Sequence, residues 1–228
     1  MAKVIGIMGE SGSGKTSSMR TLDPQTTFYI DCDGKGLAWK GWRDQYIANK
    51  NYFKTDYPQM VEKWMFFMNG QKISDSGEVS ELSNKDGLQF KTLVIDTLNG
   101  IMVGQEMRDM KRKGYDKWTD LAVYIWRILE IALNLRDDLT VILVFHSEVV
   151  SDDNGVVQTR IKTSGKKLRK MDPETKLPTL LLAEYTNEGE YVFYSRKAGT
   201  TAKAPLGAFD NPVIPNDISI VLKALEDF

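Results

Sequence analysis

Residues 9 to 16 read Gly9-Glu10-Ser11-Gly12-Ser13-Gly14-Lys15-Thr16, the G-x-x-x-x-G-K-[ST] spacing of a phosphate-binding loop. The chemistry is anion capture. Glycines let successive backbone N–H groups turn inward as a nest for a β-phosphate. Lys15 would reach β- and γ-phosphate oxygens, and the Thr16 hydroxyl would join the shell of a Mg²⁺ ion. Ser17 follows in a short helix predicted over 15–22, whose first-turn N–H groups and dipole add positive potential. The stretch from Gly9 to Ser17 is therefore expected to hold a nucleoside triphosphate.

Carboxylates and one imidazole complete the chemically capable set. The apolar run over 90–96 closes on Asp96, the Walker B pattern of a strand-end carboxylate that holds Mg²⁺ beside the loop hydroxyl. Many P-loop ATPases follow that aspartate with a glutamate base, but here Thr97 follows and the base is missing. The other strand-end acids are Asp31 and Asp33, in Ile30-Asp31-Cys32-Asp33. His146 and Ser147 follow another apolar run and are the polar groups available to sense a γ-phosphate. A neutral imidazole can read an oxygen without moving a proton. Cys32, between two acids, has a discouraged thiolate and receives no chemistry.

These groups need elements to position them. Strands are expected at 4–9, 26–31, 90–96, 139–145, 156–162, 180–185 and 190–196, several of them continuous apolar runs suited to a central parallel sheet. Helices are expected at 57–68, with Met60, Val61, Trp64, Phe67 and Met68 as an apolar stripe, and at 99–110, 119–135 and 218–225. In 119–135 apolar residues extend most of the way round, implying burial within the layers. Residues 71–87 read as an exposed excursion, Asp152-Asp153-Asn154-Gly155 as a hairpin turn, and 198–215 as loop. Trp39, Trp42 and Tyr46 read as packing. The expected fold is α/β, a mostly parallel central sheet flanked by helices with a C-terminal β-hairpin extension, in a single domain over 1–228.

With 228 residues and a formal net charge of −1, any affinity for nucleic acid must come from local clusters. Two exist. Arg108, Lys111, Arg112, Lys113 and Lys117 lie beside Tyr115 and Trp118, and Arg160, Lys162, Lys166, Lys167, Arg169 and Lys170 follow one another with no intervening acid. One cysteine and one histidine argue against a disulfide framework and a structural zinc site. No membrane-crossing run or signal peptide is evident, so a cytoplasmic setting is expected.

The loop, Asp96-Thr97 and Ile30-Asp31-Cys32-Asp33 together resemble the RecA-like ATPase core. That resemblance implies ATP and Mg²⁺ as ligands, Asp33 as the catalytic base where the family usually has glutamate, Asp96 and Thr16 as the metal residues, and His146 or Ser147 as the γ-phosphate sensor. It extends to phage-encoded RecA-like ATP-binding proteins associated with single-strand annealing and recombination. It implies a homo-oligomer, ring or filament, whose two basic clusters face single-stranded DNA. It also implies that Arg196, Lys197 and Lys203 reach a neighbouring subunit's γ-phosphate. Two other classes stay open: a P-loop phosphotransferase such as a nucleotide kinase, with 160–170 as its lid, and an ATP-gated accessory protein in replication or packaging. The lid reading is weakened because that segment is lysine-dominated, and arginine's bidentate fork suits lids better.

Overall fold

Lys3–Gly9 forms β1 in the computed structural model, which describes residues 2–151 and 155–228, and runs directly into the phosphate loop. Beyond the loop, the helix expected over 15–22 contracts to a 3-10 turn at Ser17–Thr21. Its serines are one reason. Ser17 Oγ donates to Gly14 O at 3.1 Å and Ser18 Oγ to Lys15 O at 2.7 Å, competing with backbone donors for those carbonyls. Asp23-Pro24 then stops the turn.

Thr27–Asp31 is β2, Trp42–Gln45 is α1 and Tyr52–Lys54 is β3. The aromatics around α1 pack as expected, with Tyr46 edge-on to Tyr29 and Trp39 at 5.6 and 5.9 Å and Trp42 against Tyr52 at 5.2 Å. Pro58–Met68 is α2. The 71–87 excursion is exposed, but it carries a small hairpin of β4 (Gln71–Ile73) and β5 (Val79–Glu81), paired only with each other. Thr92–Asp96 is β6 and Leu98–Arg108 is α3. Asp116–Asn134 is α4, which buries Leu121, Ala122, Ile125, Ile128, Leu129 and Ala132 on one face. Val123, expected to be inside, is exposed, so α4 is an amphipathic cover rather than an enclosed helix.

Thr140–Ser151 is β7, longer than its apolar run, and Val157–Ile161 is β8, returning antiparallel to it. Most of the turn expected at Asp152-Asp153-Asn154-Gly155 lies outside the described residues. Gly165–Met171 is α5, Thr179–Tyr185 is β9 and Tyr191–Tyr194 is β10. Val213–Pro215, within the stretch read as loop, is β11, and Ile218–Ala224 is α6. The C-terminal hairpin is thus β9–β10, extended by β11.

The main sheet runs β11-β10-β9-β1-β7-β6-β2-β3, with β8 pairing off β7. From β9 to β3 every neighbour is parallel. Side chains alternate between two cores. One holds Val4, Phe28, Ile30, Leu93, Ile95, Leu143 and the inner faces of α2, α3 and α4. The other holds Ile5, Ile7, Tyr29, Val94, Ile142, Val144 and α6. Covering both faces is what lets these strands be apolar throughout. Each fully buried Leu, Ile or Val contributes about 1.5–3 kcal/mol to holding the layers together.

Candidate nucleotide site

Register brings the chemically capable residues to one edge. Gly9 pairs with His146 across β1 and β7, and Asp96 pairs with Val144 on one side and Asp31 on the other. The carboxyl ends of β1, β6 and β2 and the His146 stretch of β7, which runs on to Ser151, therefore lie together at the edge where open parallel sheets bind ligands.

The loop turns on Gly12 and Gly14, both with positive φ (84° and 90°), a conformation that side-chain-bearing residues rarely adopt. Lys15 folds back over it, and its Nζ donates to Gly9 O at 2.8 Å and Glu10 O at 2.6 Å. Burial pulls the Lys15 pKa down to about 8, opposed by the negative charge of Asp96. Such a lysine is held by weak carbonyl acceptors at the place where an anion would sit.

Thr16 Oγ1 donates to Asp96 Oδ2 at 2.7 Å, and the Tyr29 hydroxyl donates to the same oxygen. The other carboxylate oxygen, Oδ1, is buried without a hydrogen-bond partner among the described residues. Burial pushes the Asp96 pKa up, while the hydrogen bonds from Tyr29 and Thr16 pull the other way. An unpartnered carboxylate oxygen next to a threonine hydroxyl is a hard-oxygen donor set that fits Mg²⁺. This ion takes one or two protein oxygens and completes its shell with phosphate and water.

Asp31 and Asp33 separate into different roles. Asp31 is buried and fully engaged, accepting from Gly34 N (2.8 Å), Gly36 N (2.7 Å) and the Tyr52 hydroxyl (2.6 Å). It shapes the loop. Asp33 accepts from Thr97 Oγ1 at 3.0 Å and from Lys35 Nζ at 2.7 Å, both residues of the cleft wall. The Asp96–Thr97 peptide bond is cis.

His146 lies within β7 rather than after it, half-buried, and its backbone N–H donates to Asn99 Oδ1 at 2.7 Å. Burial, then the charge of Lys15, lowers its pKa below the usual 6.5, so the ring is neutral at pH 7. Together with the loop, His146, Thr97, Lys35, Ala38 and Tyr191 enclose a cleft of about 350 Å³. Glu10 and Ser13 instead line an adjoining cavity of about 540 Å³ on the other side of the loop, along with Ser147.

The remaining predicted residues lie elsewhere. Arg108 pairs with Asp56, Arg112 with Asp109 and Asp120, Arg160 with Asp172 and Glu174, and Arg169 with Glu148. Lys117 lies over the Trp118 ring. Lys111, Lys113, Lys162, Lys166, Lys167 and Lys170 have no ion pair among the described residues, and all are exposed. Trp118 packs against Gly165, so the starts of α4 and α5 lie side by side, bringing Lys117 near Lys166 and Lys167, while Arg108 ends α3, Lys111 to Lys113 precede α4 and Arg160 lies in β8. Arg196 donates to Ala204 O at 3.4 Å, Lys197 pairs with Glu184 over the Tyr194 ring, and the Lys203 backbone pairs with Leu180. None of those three lines the cleft.

Sequence reasoning passed over Tyr29, Lys35, Asn99 and Tyr191. Lys35 carried a signal, a lysine between two glycines just beyond Asp33. Tyr29 reads as an ordinary strand aromatic, and only its register opposite Val94 brings it to Asp96.

No curated protein matches this sequence. Among solved structures, the signal recognition particle receptor SRb-GDP-Mg from Chaetomium thermophilum matches at 14% identity, over 78% of this chain and 72% of that one. Its TM-score of 0.22 is too low to carry an argument. The family model described as AAA domain is different, matching residues 1–202, a span that includes the loop, Asp96, His146 and the strands between them. The chain, with its phosphate loop at the edge of a mostly parallel sheet, thus belongs to the AAA domain family, a family of P-loop nucleotide-binding domains.

Proposed function

We propose that the protein is a Mg²⁺-dependent ATPase with a RecA-like core that oligomerises on single-stranded DNA and supports annealing or homologous recombination. The observation that carries the ATPase half is the insertion of β7 between β1 and β6, which aligns His146 with Gly9 while Asp33 joins Thr97 at the cleft wall. The phosphate loop, Lys35, Thr97 and His146 then line one volume, with Asp96 behind Thr16 and Asp33 behind Thr97 and Lys35.

In this reading the nest and Lys15 bind the β- and γ-phosphates and neutralise charge that grows on the β–γ bridge oxygen. Mg²⁺, held by Thr16 and Asp96, supplies further charge neutralisation when bound. Asp33 accepts a proton from the attacking water as its oxygen bonds to the γ-phosphorus. The bond to the bridging oxygen breaks, and the products are ADP and inorganic phosphate. His146 donates a ring N–H to a γ-phosphate oxygen. Asp31 takes no part, because it is buried away from the cleft and held by two loop amides and the Tyr52 hydroxyl.

The DNA half draws support from the lysines left without ion pairs on α5 and near the start of α4, next to the Trp118 ring. Backbone tracking by cations beside aromatic faces is how single strands are held without sequence preference. Arg196, Lys197 and Lys203 would act on a neighbour's nucleotide in the oligomer. The kinase reading loses ground because no residue of 160–170 lines the cleft.

The test is phosphate release from γ-labelled ATP, with and without single-stranded DNA at low salt. Stimulation by DNA is expected, with loss of at least about a hundredfold in Asp33→Asn, the scale of a missing general base. Transfer of label to a nucleoside monophosphate, or no effect of DNA, would overturn the respective half.

A further inference from the structure

Lys35 occupies an unusual place. It sits between Gly34 and Gly36, both with positive φ (69° and 84°), in a loop whose backbone N–H groups on either side are clamped by the buried Asp31 carboxylate. Lys54 Nζ holds the same loop from outside by donating to Gly34 O at 3.1 Å. Fixing the loop this way aims the Lys35 side chain at the cleft that Lys15, Thr16, Thr97 and His146 also line. Its ammonium rests on Asp33 Oδ2 at 2.7 Å, with the lysine side chain 58% exposed.

Lys15 and Lys35 therefore bring two ammonium groups to one cleft. In the free protein Asp33 holds the Lys35 ammonium, and a triphosphate would offer the two lysines a larger anion than the loop alone can neutralise. We propose that Lys35 is a γ-phosphate ligand supplied by the same subunit, which distinguishes triphosphate from diphosphate. This inference rests on reading the cleft as the nucleotide site and adds a second phosphate-reading cation to it.

The exchange is physically easy. A half-exposed ion pair such as Lys35–Asp33 is worth about 0–1 kcal/mol, so little opposes its rearrangement. An ammonium has three donors, so Lys35 can bridge Asp33 and a γ-phosphate oxygen at once. That bridge would hold the carboxylate beside the reacting phosphate while Thr97 Oγ1 steadies its other oxygen. With diphosphate bound, Lys35 has only Asp33 to hold.

The experiment is titration of the whole protein with a non-hydrolysable ATP analogue and with ADP, each with Mg²⁺, for the unmodified chain, Lys35→Ala, Lys35→Arg and Lys54→Ala. Lys35→Ala is expected to weaken the analogue by about tenfold to a hundredfold, the worth of a charge-assisted hydrogen bond, and ADP by less than about twofold. Lys35→Arg should recover part of the loss. Lys54→Ala, which loosens the same loop without entering the cleft, should change neither. Equal weakening of both nucleotides, no change in either, or the same pattern in Lys54→Ala would overturn the inference and leave the nucleotide site standing. Failure of the unmodified protein to bind either nucleotide would overturn both.

Discussion

Lys15 shows what a phosphate site costs before its ligand arrives. Burial lowers its pKa from 10.5 to about 8. Between these values the unfolded chain binds more protons than the folded one, so the stability of the free protein should rise with pH through that window. At neutral pH the penalty is about 3 kcal/mol by linkage. Lys15→Met should therefore raise the melting temperature of the free protein, at ~2–4 °C per kcal/mol recovered, while abolishing the stabilisation that nucleotide gives. Phosphate binding favours the ammonium form and lifts the pKa again. Calorimetry at a pH just above 8, in buffers of different ionisation enthalpy, should show proton uptake on ADP or ATP binding. Affinity should fall as pH rises further. No proton uptake would mean that Lys15 does not meet the phosphates.

Among the elements, α3 sets the position of the proposed base. Thr97 caps the helix, with Oγ1 accepting from Gly100 N at 3.2 Å while its hydroxyl donates to Asp33. Gly100 lies against the β2 loop so closely that a Cβ there would meet Cys32 O at 2.5 Å and Asp33 Oδ1 at 2.7 Å. A backbone carbonyl cannot step aside cheaply. Gly100→Ala is expected to cost about 1–3 kcal/mol of stability, as overpacking does. It should also lower kcat more than it raises KM, because it displaces Asp33 and leaves the phosphate loop alone. Thermal melts with steady-state kinetics would check both. The 3-10 turn after the loop limits the contribution of any helix dipole to phosphate binding, which leaves the nest and Lys15 to do most of it.

At the scale of the whole molecule, a net charge of −1 conceals a divided surface. The arginines of both basic clusters are internally paired, whereas most of the lysines are not. Replacing Lys166, Lys167 and Lys170 together with alanine should reduce the slope of log affinity against log salt by about two on a labelled single-stranded oligonucleotide. Arg112→Ala, which breaks ion pairs rather than removing a free cation, should change that slope little. Fluorescence anisotropy over a salt series distinguishes these outcomes. Among the described residues no helix is long and apolar enough to cross a membrane.

The sequence alone determined the phosphate loop, the strand-end aspartate Asp96 and most strands. Each of these depends on local information: glycines where φ must be positive, apolar runs where both faces of a sheet are covered, and a carboxylate where a strand ends. Near neighbours in the chain also made Asp33 visible. Several features were not local. The resemblance already pointed to Asp33, but that Tyr52 and two loop amides saturate Asp31 became visible only in the structure. Joining Tyr29 to Asp96 required the register of β2 with β6. Separating paired arginines from free lysines required acids distant in sequence, such as Asp56 for Arg108. Even the loop of Gly9 to Thr16 became one wall of a cleft only when β7 entered between β1 and β6 and brought His146 level with it. Strand order is set by packing across the whole sheet, and no short stretch of chain encodes it.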